Sequence, residues 1–127
     1  MTESYTILID EIEIGITNFE KADAPMGVVL GMIISSKIKL DYDYLKNYCL
    51  SNSIEIADDY PEDKLISTMS IEKLRAVNSE GIEIKGIGNQ ISGMDSEGYE
   101  LSIYGIPYPF YQNEFPHHVE EYRNMFD

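Results

Sequence analysis

The fold is most legible in the stretch VNSEGIEIKGIGNQISGMDSEGYEL, residues 77–101. Its opening VNSEGIEI (77–84) and its close MDSEGYEL (94–101) match position by position. Both read apolar, Asn or Asp, Ser-Glu-Gly, apolar, Glu, apolar. Asn or Asp opens a type I turn, and Gly supplies the left-handed residue that comes after it. That is a recipe for a hairpin loop. Two such loops, 17 residues apart, predict a three-stranded antiparallel meander over 74–106, with strands near 74–77, 82–92 and 99–106. In the last of these Tyr99, Leu101 and Ile103 share a face, and Glu100, Ser102 and Tyr104 take the other. In the middle strand the apolar phase shifts at KGIGNQ, where glycine fits a bulge or a close backbone approach.

Upstream, YTILIDEIEIGI (5–16) alternates from Asp10 onward and reads as one half-buried strand with a bulge near Asp10. A helix through Ile9, Ile12, Ile16 and Phe19 competes with it, and Gly15 counts against the helix. NFEKADAP (18–25) reads as a loop, and MGVVLGMIIS (26–35) as a central strand. LDYDYLKNYCLSN (40–52) predicts a short helix near 42–51. Asp41 or Asp43 caps it, Leu45, Tyr48 and Cys49 form its inner face, and Asn52 closes it. SIEIADDYPEDK (53–64) reads as an acidic loop, opened by a short strand at 54–56. LISTMSIEKLRAV (65–77) fits strand or helix. A terminal helix near 115–126 has Pro116 in its first turn, Asn113 or Phe115 as its cap, and an apolar stripe of Val119, Tyr122 and Phe126. The expected architecture is α+β, mainly antiparallel sheet, in a single globular domain over 1–127.

Charge sets the functional frame. The 127 residues carry 23 Asp and Glu against 9 Lys and Arg, a net charge of −14. Such a chain is repelled by nucleic acid and by anionic membranes, and it is drawn to cationic proteins. No basic leader opens the sequence, and the longest apolar run, APMGVVLGMII, is far shorter than the about 20 residues a membrane helix needs. One cysteine excludes an intrachain disulfide. A cytoplasmic protein is the expectation.

Residues 86–122 hold Asp95, Glu97, Glu100, Glu114, Glu120 and Glu121 with no Lys or Arg, and 8 of the 14 aromatics lie between Tyr99 and Phe126. In PYPFY the prolines forbid a regular central strand, which sends some rings to the surface. Tyr is a favoured interface anchor because it buries a large rigid area and keeps a polar tip. The other chemistries are thinner. His117 and His118, adjacent on a helix, point about 100° apart and do not readily share one ion. Either can line a small catalytic or ligand pocket, which is the alternative function. An acidic subunit of a larger assembly is a third reading. Cys49 reads as a buried thiol, GIGNQISG fits no phosphate-loop spacing, and DDYPEDK reads as a solvated acidic loop rather than a cation site. No cofactor and no metal is expected.

In size, acidity, lack of an enzyme motif, and tyrosines set beside acids in GYELSIYGIPYPFYQNE, the chain resembles the small acidic immunity proteins of bacterial toxin systems, including contact-dependent growth inhibition. The resemblance is one of type and spans the whole chain. It implies a non-enzymatic monomer or weak dimer that neutralises a cognate cationic toxin domain, a nuclease for instance, by direct binding. The anchors expected for that role are Tyr104, Tyr108 and Tyr111. The expected charge partners are Glu97, Glu114, Glu120 and Glu121, with Asp58 and Asp59 as a second acidic patch.

Overall fold

In the computed structural model, which describes residues 3–126, ten strands form two antiparallel sheets, flanked by three short helices. The class is α+β. The chain opens with a hairpin of β1 (Tyr5–Ile9) and β2 (Ile12–Thr17). The sequence reading treats this stretch as one bulged strand. It instead folds back through Asp10 and Glu11, at φ 53° and 65°, the paired left-handed conformation of a two-residue turn. The phase change at Asp10 is therefore a reversal of the chain. A bulge does occur, one turn away. Ile7 pairs with Gly15 and Leu8 with Glu13, so Ile14 is left unpaired and points into the core.

The expected loop at 18–25 contains a short edge strand, β3 (Lys21–Asp23), followed by a 3-10 turn over Ala24–Met26. The apolar run then divides between the sheets. Its first part is β4 (Val28–Met32), an interior strand between β3 and β10 (Gly98–Tyr104). At Ile33 the chain leaves that sheet, and β5 (Ile34–Ser35) pairs with β2 in the other.

The helix α1 spans Tyr42–Ser51, capped by Asp41, whose Oδ1 accepts from the Tyr44 N–H at 2.8 Å. Beyond it come β6 (Ile56–Tyr60) and β7 (Leu65–Thr68), so much of the expected acidic loop is strand. Next in the chain are β8 (Leu74–Val77), β9 (Gly88–Met94) and β10. The four-stranded sheet has the order β5-β2-β1-β8, and the six-stranded sheet β3-β4-β10-β9-β7-β6.

The second hairpin loop forms as expected: β9 and β10 pair in full register from Met94–Gly98 to Gly88–Tyr104, with Gly98 at φ 92°. The first loop also forms. Asn78 Oδ1 accepts from the Glu80 and Ile82 N–H groups, and Gly81 takes φ 81°. The meander nevertheless fails at its first strand. β8 pairs with β1, and only the Val77–Glu83 bridge joins it to the segment after the loop. The reason lies at Gly86, where a Cβ would sit 2.3 Å from the Tyr104 carbonyl oxygen. That close approach draws 85–87 onto the end of β10, so the middle strand starts at Gly88 and never lies along β8.

The expected terminal helix forms as α3 (Pro116–Asn124), and a further short helix, α2 (Phe110–Glu114), precedes it; the two are parted at Phe115, whose side chain is fully buried. Phe115 also holds the cap position of α3, with Pro116 next. Only one of the three residues of the apolar stripe is used. Val119 is buried, but Tyr122 and Phe126 are exposed, because α3 packs on β3 and the 3-10 turn at the sheet's edge and its last turn overhangs. The core joins side chains from both sheets with Leu45 of α1, Tyr111 of α2 and Val119 of α3.

Candidate cation-docking surfaces

Two surfaces emerge, at opposite edges of the six-stranded sheet. The first is an acidic end. Pairing of Leu65 with Met94 sets the tip of the β6–β7 hairpin beside the β9–β10 turn, and the Asp95 N–H donates to the Lys64 carbonyl at 3.1 Å. The start of α1 lies across both: Asp95 Oδ1 accepts from the Tyr42 N–H and from the Tyr99 hydroxyl, each at 2.8 Å. Eight carboxylates gather here: Asp41 and Asp43 from α1 and its cap, Asp58, Asp59, Glu62 and Asp63 from the β6–β7 hairpin, and Asp95 and Glu97 from the turn.

Few cations answer them. Lys46 binds Asp59, which also accepts from the Tyr42 hydroxyl, and Lys64 stands 3.7 Å from Asp43. Lys46 lowers the pKa of Asp59, with help from Tyr42. At Asp95 burial pushes the pKa up, but the bonds from Tyr99 and Tyr42 outweigh it and the net direction is down. Both groups thus hold their charge at neutral pH. Among the described residues Asp58, Glu62, Asp63 and Glu97 have no ion-pair partner, and all four are exposed. Tyr60, 55% exposed, places a ring beside them.

The second surface is the C-terminal face. Tyr108 is 46% exposed, stacks on Tyr111 at 5.2 Å, and donates its hydroxyl to the Ala24 carbonyl at 2.7 Å. Beyond Ala24 lie the exposed Met26, Tyr122, Met125 and Phe126, and Tyr122 and Phe126 meet edge to face at 5.0 Å. Glu120 and Glu121 are exposed on α3.

The structure reassigns several of the expected contact residues. Tyr111 is 0% exposed and donates to the Val28 carbonyl at 2.9 Å, so it is scaffold and not an anchor. It belongs to a buried ring cluster with Phe115, Phe19 and Tyr5, centroids 4.9–6.0 Å apart. Glu114 is likewise internal to the fold. Its carboxylate accepts from the Tyr5 hydroxyl at 2.8 Å and from Asn78 Nδ2 at 3.1 Å, which ties α2 to the four-stranded sheet. Asp59 is half-buried and committed to Lys46. Tyr104 is half-buried on β10 with its hydroxyl 2.8 Å from Ser70 Oγ, away from both surfaces. Glu97 lies in the β9–β10 turn, beside the tip of the β6–β7 hairpin that carries Asp58, whereas Tyr108, Glu120 and Glu121 lie on the C-terminal face.

His118 is buried, and its Nε2 lies 2.7 Å from the Phe19 carbonyl oxygen, a bond that pins α3 to the loop after β2. His117 is exposed, and its pKa is lowered by partial burial and by His118, whose ring centroid is 4.0 Å away. Among the described residues no three His, Cys, Asp or Glu side chains converge as metal ligands, and no helix is long and apolar enough to cross a membrane. Burial raises the pKa of Cys49, which keeps its thiol protonated.

No family model, curated protein or solved structure matches the chain. The surfaces themselves are thus the only guide to function. The sequence reading missed Asp41, Asp43, Tyr60, Glu62 and Asp95 as parts of one patch. The acidic run 58–63 was the available signal, but its neighbours come from the non-local β7–β9 pairing.

Proposed function

We propose that this chain is an acidic binding protein that docks a cationic protein domain, in the manner of an immunity protein neutralising its cognate toxin. The observation that carries this reading is the acidic end, where eight carboxylates find only Lys46 and Lys64 as ion-pair partners and the exposed Asp58, Glu62, Asp63 and Glu97 have none among the described residues. A protein gains nothing in fold stability by crowding like charges at one end, since they repel one another. Such a cluster speeds encounter with a positive surface and disfavours wrong partners. A nuclease must present Lys and Arg to phosphates, so its substrate face is a fitting target. Tyr60 supplies a ring with a polar tip at the same patch.

The test is kinetic. A partner captured from the native cell at low salt is identified, and its association is timed against the wild-type chain and an Asp58→Lys, Glu62→Lys, Glu97→Lys triple variant. The expected result is a basic partner whose association slows by about tenfold or more in the triple variant at low salt, with the difference shrinking as salt rises. An acidic partner, or equal rates at low salt, refutes the reading.

A further inference from the structure

A cavity of about 310 Å³ opens on the C-terminal face between β3, the 3-10 turn and α3. It is lined by Ala22, Ala24, Tyr122 and Met125, by His118, whose Nε2 is held by the Phe19 carbonyl oxygen, and by Asp23 and Glu121, two acids from different elements. We propose that this cavity is a socket for a single arginine side chain of the partner. The inference rests on the proposal that the partner is cationic, and it names the chemistry of one of that partner's contacts.

The socket suits a group with an apolar stem and a charged, planar end. An arginine stem covers apolar surface while its head keeps polar contacts. Its guanidinium stacks on an aromatic ring and donates in several directions at once, whereas a hydrated metal ion gains nothing from methyl and thioether walls. Both carboxylates are free to accept. Asp23 stands at the cap position of the 3-10 turn yet makes no capping hydrogen bond, and among the described residues neither it nor Glu121 has an ion-pair partner. The protein's own nearby cations do not fill the socket. Lys21 is engaged with Glu100 at 3.3 Å, and Arg123 is not among the lining residues, lying two positions on from Glu121, about 200° around the helix.

The probe is N-acetyl-arginine amide, titrated into the 15N-labelled chain and followed by amide chemical shifts. Capped citrulline, which has nearly the same shape without the charge, and capped lysine serve as controls. Saturable shifts at 22–24 and 121–125 with the arginine probe, absent with citrulline and weakened about fivefold in an Asp23→Asn, Glu121→Gln variant, support the socket. The variant's own spectrum verifies that it is folded. Equal shifts from citrulline, shifts confined to the acidic end, or no shift at all overturn it. Lysine binding as tightly as arginine overturns the assignment to a guanidinium. Because the probe needs no partner, a silent socket beside a confirmed basic partner sinks only this inference. A responsive socket beside an acidic partner sinks only the proposed function.

Discussion

The acidic end and the C-terminal face began with the same ingredients, tyrosines next to carboxylates, and the fold treats them in opposite ways. At the C-terminal face it takes the rings in. Tyr111 and Phe115 fill the space between helix and sheet, and Glu114 goes with them because Tyr5 and Asn78 meet its oxygens. At the acidic end it leaves the acids out. Only Asp59 and Asp43 find a lysine, Asp41 and Asp95 are met by backbone N–H groups and a tyrosine hydroxyl, and Asp58, Glu62, Asp63 and Glu97 stay in water. The difference comes from desolvation. A phenol is buried at the cost of one hydrogen bond, which a carbonyl supplies, while a carboxylate needs a cation or several donors. With 9 basic residues for 23 acids, most carboxylates are confined to the surface wherever the chain puts them.

The sharpest way to break this contrast is to truncate the rings. Tyr111→Ala should cost about 3–5 kcal/mol in urea unfolding, the range of large core deletions, while Tyr108→Ala should cost far less. Equal losses would erase the distinction between scaffold and surface.

Next in size is Glu114→Ala, which strands the Tyr5 hydroxyl inside the protein and should cost about 1.5–3 kcal/mol. A loss no larger than that of Glu120→Ala would return Glu114 to the candidate surface.

The pH profile should separate the two regions. The pKa of Asp59 and Asp95 is lowered in the fold, so the stability they provide is present above their unfolded value of about 3.8 and is lost as pH falls below it. Loss of the His117 contribution begins earlier, as pH falls through 6.5, because its protonated form is disfavoured in the fold. Burial raises the pKa of Tyr5, Tyr99 and Tyr111, and the stability they provide is present below 10.0 and lost as pH rises past it. The buried Cys49 thiol, its pKa raised from 9.0, begins the alkaline loss sooner, so melting temperature should hold a plateau from about pH 7 to 9, falling on both sides. Asp59→Asn with Asp95→Asn should soften the acid limb, and with it part of the alkaline limb, because Asp95 helps to raise the pKa of Tyr99 and Asp59 helps to raise those of Tyr42 and Lys46; an unchanged acid limb would contradict the assignment.

The smallest expected effect is on stability in the Asp58→Lys, Glu62→Lys, Glu97→Lys chain. It should stay within about 0.5 kcal/mol of wild type or rise slightly as repulsion eases, even though its association rate changes most. A large destabilisation would mean these acids hold the fold together.

Local chemistry was legible and non-local pairing was not. The Asn78–Gly81 and Asp95–Gly98 turns and the Asp41 cap all announce themselves within a few residues, and all three form. The Asp10–Glu11 turn carries neither Gly nor Asn, so the reversal there showed only as a change of phase, which a bulge explains equally well. The choice of β1 as partner for β8 reaches from one end of the chain to beyond its middle, and nothing within β8 encodes it. The same holds for the site. The tyrosines of PYPFY are visible in composition, but which face each ring takes depends on Tyr5 and Phe19 at the far end of the chain. Glu114 reads as a free acid until a hydroxyl 109 positions away is found at its side.

The path of the backbone between the sheets has a consequence of its own. It crosses at Ile33, then leaves the larger sheet again to lay β8 against β1 before returning as β9. The two sheets are thus sewn together by continuous thread, and no cut between Ile33 and Leu74 yields a piece owning either one whole. Fragments split anywhere in that span should recover the native form only when mixed, as two halves of one garment.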